Sequence, residues 1–257
     1  MTAVRAFAVK LYQGPRDSRG GNLYPGGEPY GSELAWTPWF VVPSTDANWP
    51  ADTIDYGAAT GMIEDLAFWV NPPASFKLTD WKFTLQNYQR LTALNGLNDA
   101  TDPNLNAFAK AGGKIIIWHG FADSAINPFG TINYYQAVVQ DAGGFAASQR
   151  FSRLYMVPGG YHCLGGGAPQ VTADLLDPLI SWVENGAAPG AQAFPLTSPT
   201  ATLASITSSP LNPLTQAHAG GTALNLSYHW VGQLLHGNEL WCDVNGMEVA
   251  CRTHFGH

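Results

Sequence analysis

Charged side chains and basic runs are scarce in this chain. Of its 257 residues only 12% are charged, about half the usual ~25%, and 12 Lys and Arg face 19 Asp and Glu, for a formal charge of -7. No basic stretch could follow a phosphate backbone, so we expect no nucleic-acid partner. The apolar runs are far shorter than the ~20 residues of a membrane helix. Residues 1–10 also lack the form of a signal peptide, since Arg5 interrupts their apolar run. We therefore expect no membrane partner.

Cysteine is also rare, with three residues in all. If Asn245–Glu248 forms a four-residue hairpin loop, Cys242 faces Cys251 and the two thiols are close enough to bridge. The alternative is two reduced, half-buried thiols. A bridge would indicate an oxidising compartment. Cys163 is then the odd cysteine of the chain.

The chain divides into three segments of different composition. Residues 1–98 are rich in Pro, Gly, Trp and Tyr, which predicts loops between short helices, with residues 63–70 and 79–94 as the best helix candidates. We interpret this segment as part of a lid or cap. Residues 99–190 form the core segment, and residues 191–257 form a tail that ends in the cysteine hairpin.

The core segment alternates strand and helix patterns. Lys114–Trp118 is a continuous β-branched, apolar run, typical of a strand buried on both faces, and Arg153–Val157 is predicted to be a second buried strand. Helix patterns follow each strand, over Thr131–Ala142 with a stop at Gly143-Gly144, and over Val171–Asn185. Strands and helices in this order predict a βαβα unit of a parallel sheet, and hence the α/β fold class.

Two residues with catalytic potential follow these strands. Asp123 lies five residues after Trp118, and His162 lies five residues after Val157. Because the carboxyl ends of parallel strands share one edge of a sheet, the two side chains can meet there. An acid followed by a histidine is the second half of the Ser, Asp, His order of α/β-hydrolases. The alternatives are a turn or capping aspartate and a histidine held in a Gly-rich turn.

Other groupings of side chains carry less weight. His119, Asp123, His162 and Cys163 could be drawn together as a metal site, but a histidine after a buried strand is more often a packing or loop residue, and we predict no metal. The first segment is crowded with tryptophans, which form either a small cap core or an aromatic wall for a phenolic group. They are Trp36, Trp39, Trp49, Trp69 and Trp81.

Several stretches give this sequence a specific resemblance to the tannase and feruloyl esterase family. The segment Gly112-Gly-Lys-Ile-Ile-Ile-Trp-His-Gly-Phe-Ala-Asp123 resembles the family's acid loop, and Val157-Pro-Gly-Gly-Tyr-His-Cys163 resembles its histidine loop. Further matching patches are Asp102-Pro-Asn-Leu105, Gly130-Thr-Ile-Asn-Tyr-Tyr135, Trp182-Val-Glu-Asn-Gly186 and, in the lid segment, Leu23-Tyr-Pro-Gly26. The family consists of α/β-hydrolases with a large lid, and includes feruloyl esterases, tannases and MHETase-like enzymes.

The resemblance implies a carboxylic ester hydrolase that acts on small aromatic esters. His162 would be the general base and acid, and Asp123 would orient it. The family's nucleophile lies in a Gly-Cys-Ser-x-Gly-Gly elbow, whose cysteine bonds to the cysteine after the catalytic histidine. No Gly-x-Ser-x-Gly occurs in these 257 residues. The resemblance therefore implies that this elbow, the partner of Cys163 and the lid's calcium loop lie upstream of Met1.

We accordingly expect a partial α/β-hydrolase: the last parallel strands and helices, part of a loop-rich lid, and a β-hairpin tail. This chain alone should be inactive, without a cofactor, and the missing amino-terminal half is its expected partner. The resemblance and the hairpin cysteines favour a secreted or periplasmic location. Two alternatives remain: a non-catalytic protein that binds a phenolic ligand, and one half of a split esterase.

Overall fold

The fold is described from a computed structural model of the chain. It describes residues 3–29, 32–42, 48, 50–120, 122–157, 161–162, 172–173, 175–189, and short strands at 196–197, 229–230, 235–236, 239–244 and 247–251. Two compact units divide the chain. The first comprises Met1–Glu28 with Ala35–Thr101, and the second comprises Pro29–Leu34 with Asp102–His257. Within the described residues, no helix has both the length and the apolar character needed to cross a membrane.

The first unit consists of short helices joined by loops. Its α-helices are α1 (Ala3–Gln13), α2 (Ile54–Gly61), α3 (Leu85–Thr92) and α4 (Asn95–Asn98). Gly14 ends α1 with a positive φ of 69°, and a Cβ there would lie 2.2 Å from the carbonyl oxygen of Gly26. Only glycine allows both the left-handed turn and this close approach of two backbone segments.

Threonine caps start two helices of this unit at positions that differ from the two predicted helices. Thr53 accepts a hydrogen bond from the N–H of Tyr56, so the first helix begins at Ile54 rather than at residue 63. It continues as a π-helical turn, Met62–Leu66, and stops short of residue 70. The second prediction, 79–94, is interrupted because Thr84 accepts from the N–H of Asn87 and starts α3 at Leu85.

The second unit contains the sheet that carries the candidate site. Its helices are α5 (Asn106–Lys110), α6 (Pro128–Asp141), α7 (Phe145–Ser148) and α8 (Leu176–Asn185). Two of its strands, β1 (Ile115–Gly120) and β2 (Ser152–Val157), pair in parallel with Ile117 opposite Leu154. The predicted parallel β-α-β unit is thus confirmed, with α6 as its crossover helix. Asn127 caps α6 by accepting from the N–H of Phe129, and Gly143 and Gly144 follow it with positive φ.

The two parallel strands differ in burial. The side chains of β2 from Ser152 to Tyr155 are buried, whereas Ile115–Ile117 of β1 are half-buried and Trp118 is 36% exposed. The prediction that β1 is buried on both faces is therefore wrong. Within the described residues, β1 pairs with β2 on one side and with no strand on the other, so β1 lies at the edge of the described sheet. On its other side β2 pairs antiparallel with β5 (His229–Trp230).

The last helix of the unit begins later than predicted. Residues Thr172–Ala173 form β3, which pairs with β4 (Leu196–Thr197), and α8 starts at Leu176 rather than at residue 171. Pro178 explains this start because proline lacks a backbone N–H and is tolerated only in the first turn of a helix. Trp182 of α8 is buried, and the Arg153 guanidinium lies 4.6 Å from its ring centroid.

The hairpin of the tail has a different register from the predicted one. Strand β6 (Leu235–His236) pairs with β7 (Glu239–Val244), which pairs with β8 (Met247–Cys251). Val244 lies opposite Met247, and Cys242 lies opposite Val249 rather than Cys251. Two residues, Asn245 and Gly246, thus separate the paired strands in the sequence, and Asn-Gly is a favoured pair between hairpin strands. The prediction that the two cysteines lie directly opposite each other is wrong, and the disulfide itself stays a prediction.

Candidate active site

Asp123 lies in the loop between β1 and α6, where local hydrogen bonds fix its side chain. Its Oδ1 accepts from the backbone N–H groups of Ala125 and Ile126, each at 2.9 Å. This is an Asx-type turn, in which a short carboxylate satisfies the backbone of the residues that follow it. These two hydrogen bonds use Oδ1 and leave the second oxygen, Oδ2, for other partners. The turn role and the catalytic role foreseen for Asp123 are therefore compatible.

His162 follows β2 and meets Asp123 across 39 residues of sequence. Its Nδ1 lies 3.0 Å from Asp123 Oδ2, within hydrogen-bond distance. The Asp123 side chain is 7% exposed and the His162 side chain 33% exposed. A buried acid thus holds a histidine that solvent or a substrate can reach. Because the carboxylate only accepts, Nδ1 carries the hydrogen, and Nε2 on the far edge of the ring is the nitrogen that can take up a proton.

The environment of Asp123 favours its ionised form. Burial raises the pKa of this carboxyl, but hydrogen bonds from His119, the N–H of Ile126, His162 and the N–H of Ala125 outweigh it, and the pKa falls below its ordinary value. An ionised carboxylate is what a triad needs in order to hold its histidine and to stabilise the imidazolium that forms.

A second histidine reaches the same carboxylate oxygen. His119 in β1 is buried, and its Nε2 lies 3.3 Å from Asp123 Oδ2. Sequence reasoning treated this residue as a packing or loop histidine and missed the contact. The available signal was the spacing, since His119 and Asp123 flank the end of one strand at i and i+4. Within the described residues, no group of three His, Cys, Asp or Glu side chains is arranged to hold a metal ion.

The other residues singled out from the sequence are the odd cysteine and the tryptophans of the first segment. Cys163 and Trp49 lie outside the described residues. Among the described tryptophans of the first unit, Trp36 is buried beside Tyr12, Trp81 packs edge-on against Phe68, and Trp69 is fully exposed. The choice between a cap core and an aromatic wall stays open.

The geometry supplies the acid and base of a nucleophilic mechanism. A carboxylate holds Nδ1–H, and the opposite nitrogen can accept a proton from a nucleophile and return it to a leaving group. The model of the family described as "Tannase and feruloyl esterase" matches residues 2–211. This chain belongs to the tannase and feruloyl esterase family.

Individual members of this family are similar to this chain over shorter stretches of sequence. A probable feruloyl esterase of Arthroderma benhamiae is 37% identical over 102 residues, which is 39% of this chain and 19% of that protein. The mono(2-hydroxyethyl) terephthalate hydrolase of Piscinibacter sakaiensis is 43% identical over 93 residues, or 35% of this chain and 14% of that protein.

Solved structures show the same fold. Feruloyl esterase B from Aspergillus oryzae has a TM-score of 0.60 at 18% identity, covering 79% of this chain and 40% of that one. The tannin acyl hydrolase from Aspergillus niger has a TM-score of 0.59 at 20% identity, covering 96% of this chain and 42% of that one. The α/β architecture of this family member is therefore that of a tannase-like hydrolase. The chain spans less than half the length of these relatives.

Proposed function

We propose that this chain carries the acid and base of a carboxylic ester hydrolase that cleaves esters of phenolic acids. His162 is the general base and acid, and Asp123 orients it. The observation that carries the proposal is the 3.0 Å contact between His162 Nδ1 and the buried Asp123 Oδ2. This contact joins two loops at the carboxyl ends of neighbouring parallel strands, where working residues of such sheets lie.

In this proposal, the nucleophile is a serine outside the 257 residues. Two facts support this placement: no Gly-x-Ser-x-Gly occurs in the sequence, and the chain covers 40% of a feruloyl esterase that has its fold. The serine would attack the ester carbonyl while His162 Nε2 takes up its proton. His162 then gives that proton to the leaving alcohol, and water releases the acid by the same route. The chain alone is inactive.

The names of the relatives support the substrate class. Feruloyl esterases and a terephthalate half-ester hydrolase are among the proteins that it resembles. An ester whose acyl group is a flat aromatic acid is therefore the substrate class that we propose. A secreted or periplasmic location and an oxidised Cys242–Cys251 pair belong to the same proposal.

Steady-state hydrolysis of methyl ferulate and methyl gallate tests this function. The protein is made from the complete reading frame of its gene, including whatever that frame encodes before residue 1. His162→Ala should lower kcat by about 10⁴-fold or more, because the attacking serine loses its base. The 257-residue chain by itself should hydrolyse neither ester.

A matched control separates the loss of chemistry from a loss of fold. Asp99→Asn removes a carboxylate from an exposed loop in the first unit and should leave kcat within about twofold of the native value. Full hydrolytic activity in His162→Ala, with correct folding, would refute the role of this histidine. Activity in the isolated 257-residue chain would refute the placement of the nucleophile.

A further inference from the structure

His119 is held from both sides of its ring. Its Nδ1 lies 2.7 Å from Thr131 Oγ1, and its Nε2 lies 2.9 Å from the carbonyl oxygen of Ile126 and 3.3 Å from Asp123 Oδ2. His119 belongs to β1 and Thr131 to the second turn of α6. The ring therefore connects the strand, the helix and the acid loop that lies between them.

The acceptors around the ring fix its tautomer. A carbonyl oxygen accepts hydrogen bonds and never donates them, so Nε2 must carry a hydrogen to contact Ile126. The Thr131 hydroxyl both donates and accepts, and it can donate to a bare Nδ1. In this arrangement Nε2–H is shared between the Ile126 carbonyl and Asp123 Oδ2.

We propose that His119 and Thr131 are positioning residues for the acid of the triad. Thr131 donates to the bare His119 Nδ1 and holds the ring in place, and Nε2–H points to the same Asp123 oxygen that receives His162. The proposal rests on the proposed function only in that Asp123 serves His162 in catalysis.

The hydrogen bonds of Asp123 support a role beyond packing. Oδ1 takes two backbone N–H donors, and Oδ2 lies 3.0 Å from His162 Nδ1 and 3.3 Å from His119 Nε2. Four nitrogen atoms therefore surround the two carboxylate oxygens, which favours one orientation of the group and its ionised form. Burial raises the pKa of Asp123, and the hydrogen bond from His119 is the largest of the contributions that lower it.

An NMR titration of the 257-residue chain tests this role without any ester. The chain is labelled with ¹³C at the Asp carboxyl carbons, and the signal of Asp123 is assigned with Asp123→Asn. In His119→Leu, the pKa of Asp123 should shift upward because the His119 N–H near Oδ2 is gone, while His162 remains. In His119→Gln, an amide N–H at the reach of Nε2 should return the pKa towards its native value. An unchanged Asp123 titration in His119→Leu would overturn the proposal.

Thr131 provides a second test that keeps the histidine in place. The ring nitrogens of His119 are read from ¹⁵N spectra, in which protonated and bare nitrogens are resolved. The native chain and Thr131→Ser should show one protonated Nε2 and one bare, hydrogen-bonded Nδ1, whereas in Thr131→Val, which has the same shape but no hydroxyl, the bare Nδ1 signal should move downfield because its hydrogen-bond donor is gone. An identical ring spectrum in Thr131→Val would overturn the role of Thr131. This variant also decides the question if His119→Leu fails to fold.

Kinetics of the complete protein give an independent readout. His119→Leu should lower kcat about tenfold or more with KM within about twofold, because misplacing the acid affects the transition state rather than substrate binding, and His119→Gln should recover most of this loss. Native kcat in a folded His119→Leu would contradict the proposal. If the native protein hydrolyses no ester, the proposed function fails, while the NMR experiments still decide the placement of His119.

Discussion

At the residue scale, Asp123 is the side chain on which the candidate site depends. Its order in the sequence relative to His162 was enough to predict that the two would meet, because parallel strands bring their carboxyl ends to one edge. The participation of His119 was not predictable in this way. That contact depends on the turn that Asp123 makes with Ala125 and Ile126, which brings Oδ2 back towards the end of β1.

Acid should weaken the folded state through Asp123. Burial raises and four hydrogen bonds lower the pKa of this carboxyl, with a net value below the ordinary one. The folded chain thus binds this proton less readily than the unfolded chain, whose Asp pKa is about 3.9. The resulting stabilisation is complete above that pH and is lost as the pH falls through the folded pKa.

Urea unfolding at several pH values measures this contribution. The difference in free energy of unfolding between the native chain and Asp123→Asn should be constant near neutrality and should shrink as the pH falls below about 4. The exposed control Asp99→Asn should show no such change. A difference that is the same at pH 3 and pH 6 would contradict the ionised, hydrogen-bonded Asp123.

High pH should lower the stability of the folded chain through Tyr155 in β2. This side chain is fully buried, and burial raises its pKa to about 12. In the unfolded chain a Tyr pKa is about 10, so the folded state favours the protonated phenol. Its contribution to stability is complete below about pH 10 and is lost as the pH rises towards 12. The difference in free energy of unfolding between the native chain and Tyr155→Phe should therefore fall above pH 10, and a constant difference would show that Tyr155 does not titrate as described.

At the element scale, hydrophobic pattern predicted the central elements of the second unit and capping decided the rest. The apolar runs and the Gly143-Gly144 stop were sufficient to predict β1, β2 and the end of α6, but α6 begins at Pro128 rather than at Thr131, because Asn127 caps it. The starts of α2 and α3 depend on single threonine hydroxyls, Thr53 and Thr84, which accept backbone N–H groups. Such caps compete with apolar patterns of similar strength nearby, so pattern alone placed these helices incorrectly.

The hairpin register depended on a turn of two residues. We predicted a four-residue loop because it placed the cysteines opposite each other, but the Asn245-Gly246 pair favours the shorter turn. The shorter connection shifts the register by two residues, so that Cys242 lies opposite Val249 instead of Cys251. Mass spectrometry of the non-reduced chain after proteolysis tests the disulfide. The disulfide predicts a linked pair of peptides that contain Cys242 and Cys251. Free, alkylated thiols at both positions would contradict it.

The end of α8 offers a test of local backbone conformation. Gly186 ends this helix in the left-handed region with φ 68°, and a Cβ there would meet no atom within 4 Å. The cost of Gly186→Ala is therefore purely conformational, and it should lower the free energy of unfolding by about 1 kcal/mol. Gly186→Asn should cost less, since Asn tolerates this region better. Equal stabilities of the native chain and Gly186→Ala in urea unfolding would contradict the left-handed end of α8.

At the scale of the whole molecule, the second unit pairs two parallel strands whose carboxyl-terminal loops bring Asp123 and His162 together. Composition leads us to expect no nucleic-acid or membrane partner, which stays a prediction, and the family model matches residues 2–211. Exposure was harder to predict. Sequence patterning assigns β1 to a fully covered sheet, whereas Trp118 is 36% exposed and Ile115–Ile117 are half-buried. The hydrophobic pattern of a strand shows that the strand is suited to a buried position. It does not show which neighbouring elements cover the strand.

Labelling with a fluorophosphonate probe tests the central claim most directly. The probe forms a covalent bond with a serine that an adjacent histidine activates. In protein from the complete reading frame, a single labelled serine should map outside the 257 residues, and His162→Ala should abolish the label while Asp99→Asn retains it. A label on a serine within the 257 residues, or full labelling in His162→Ala, would contradict the assignment of Asp123 and His162 to a serine esterase.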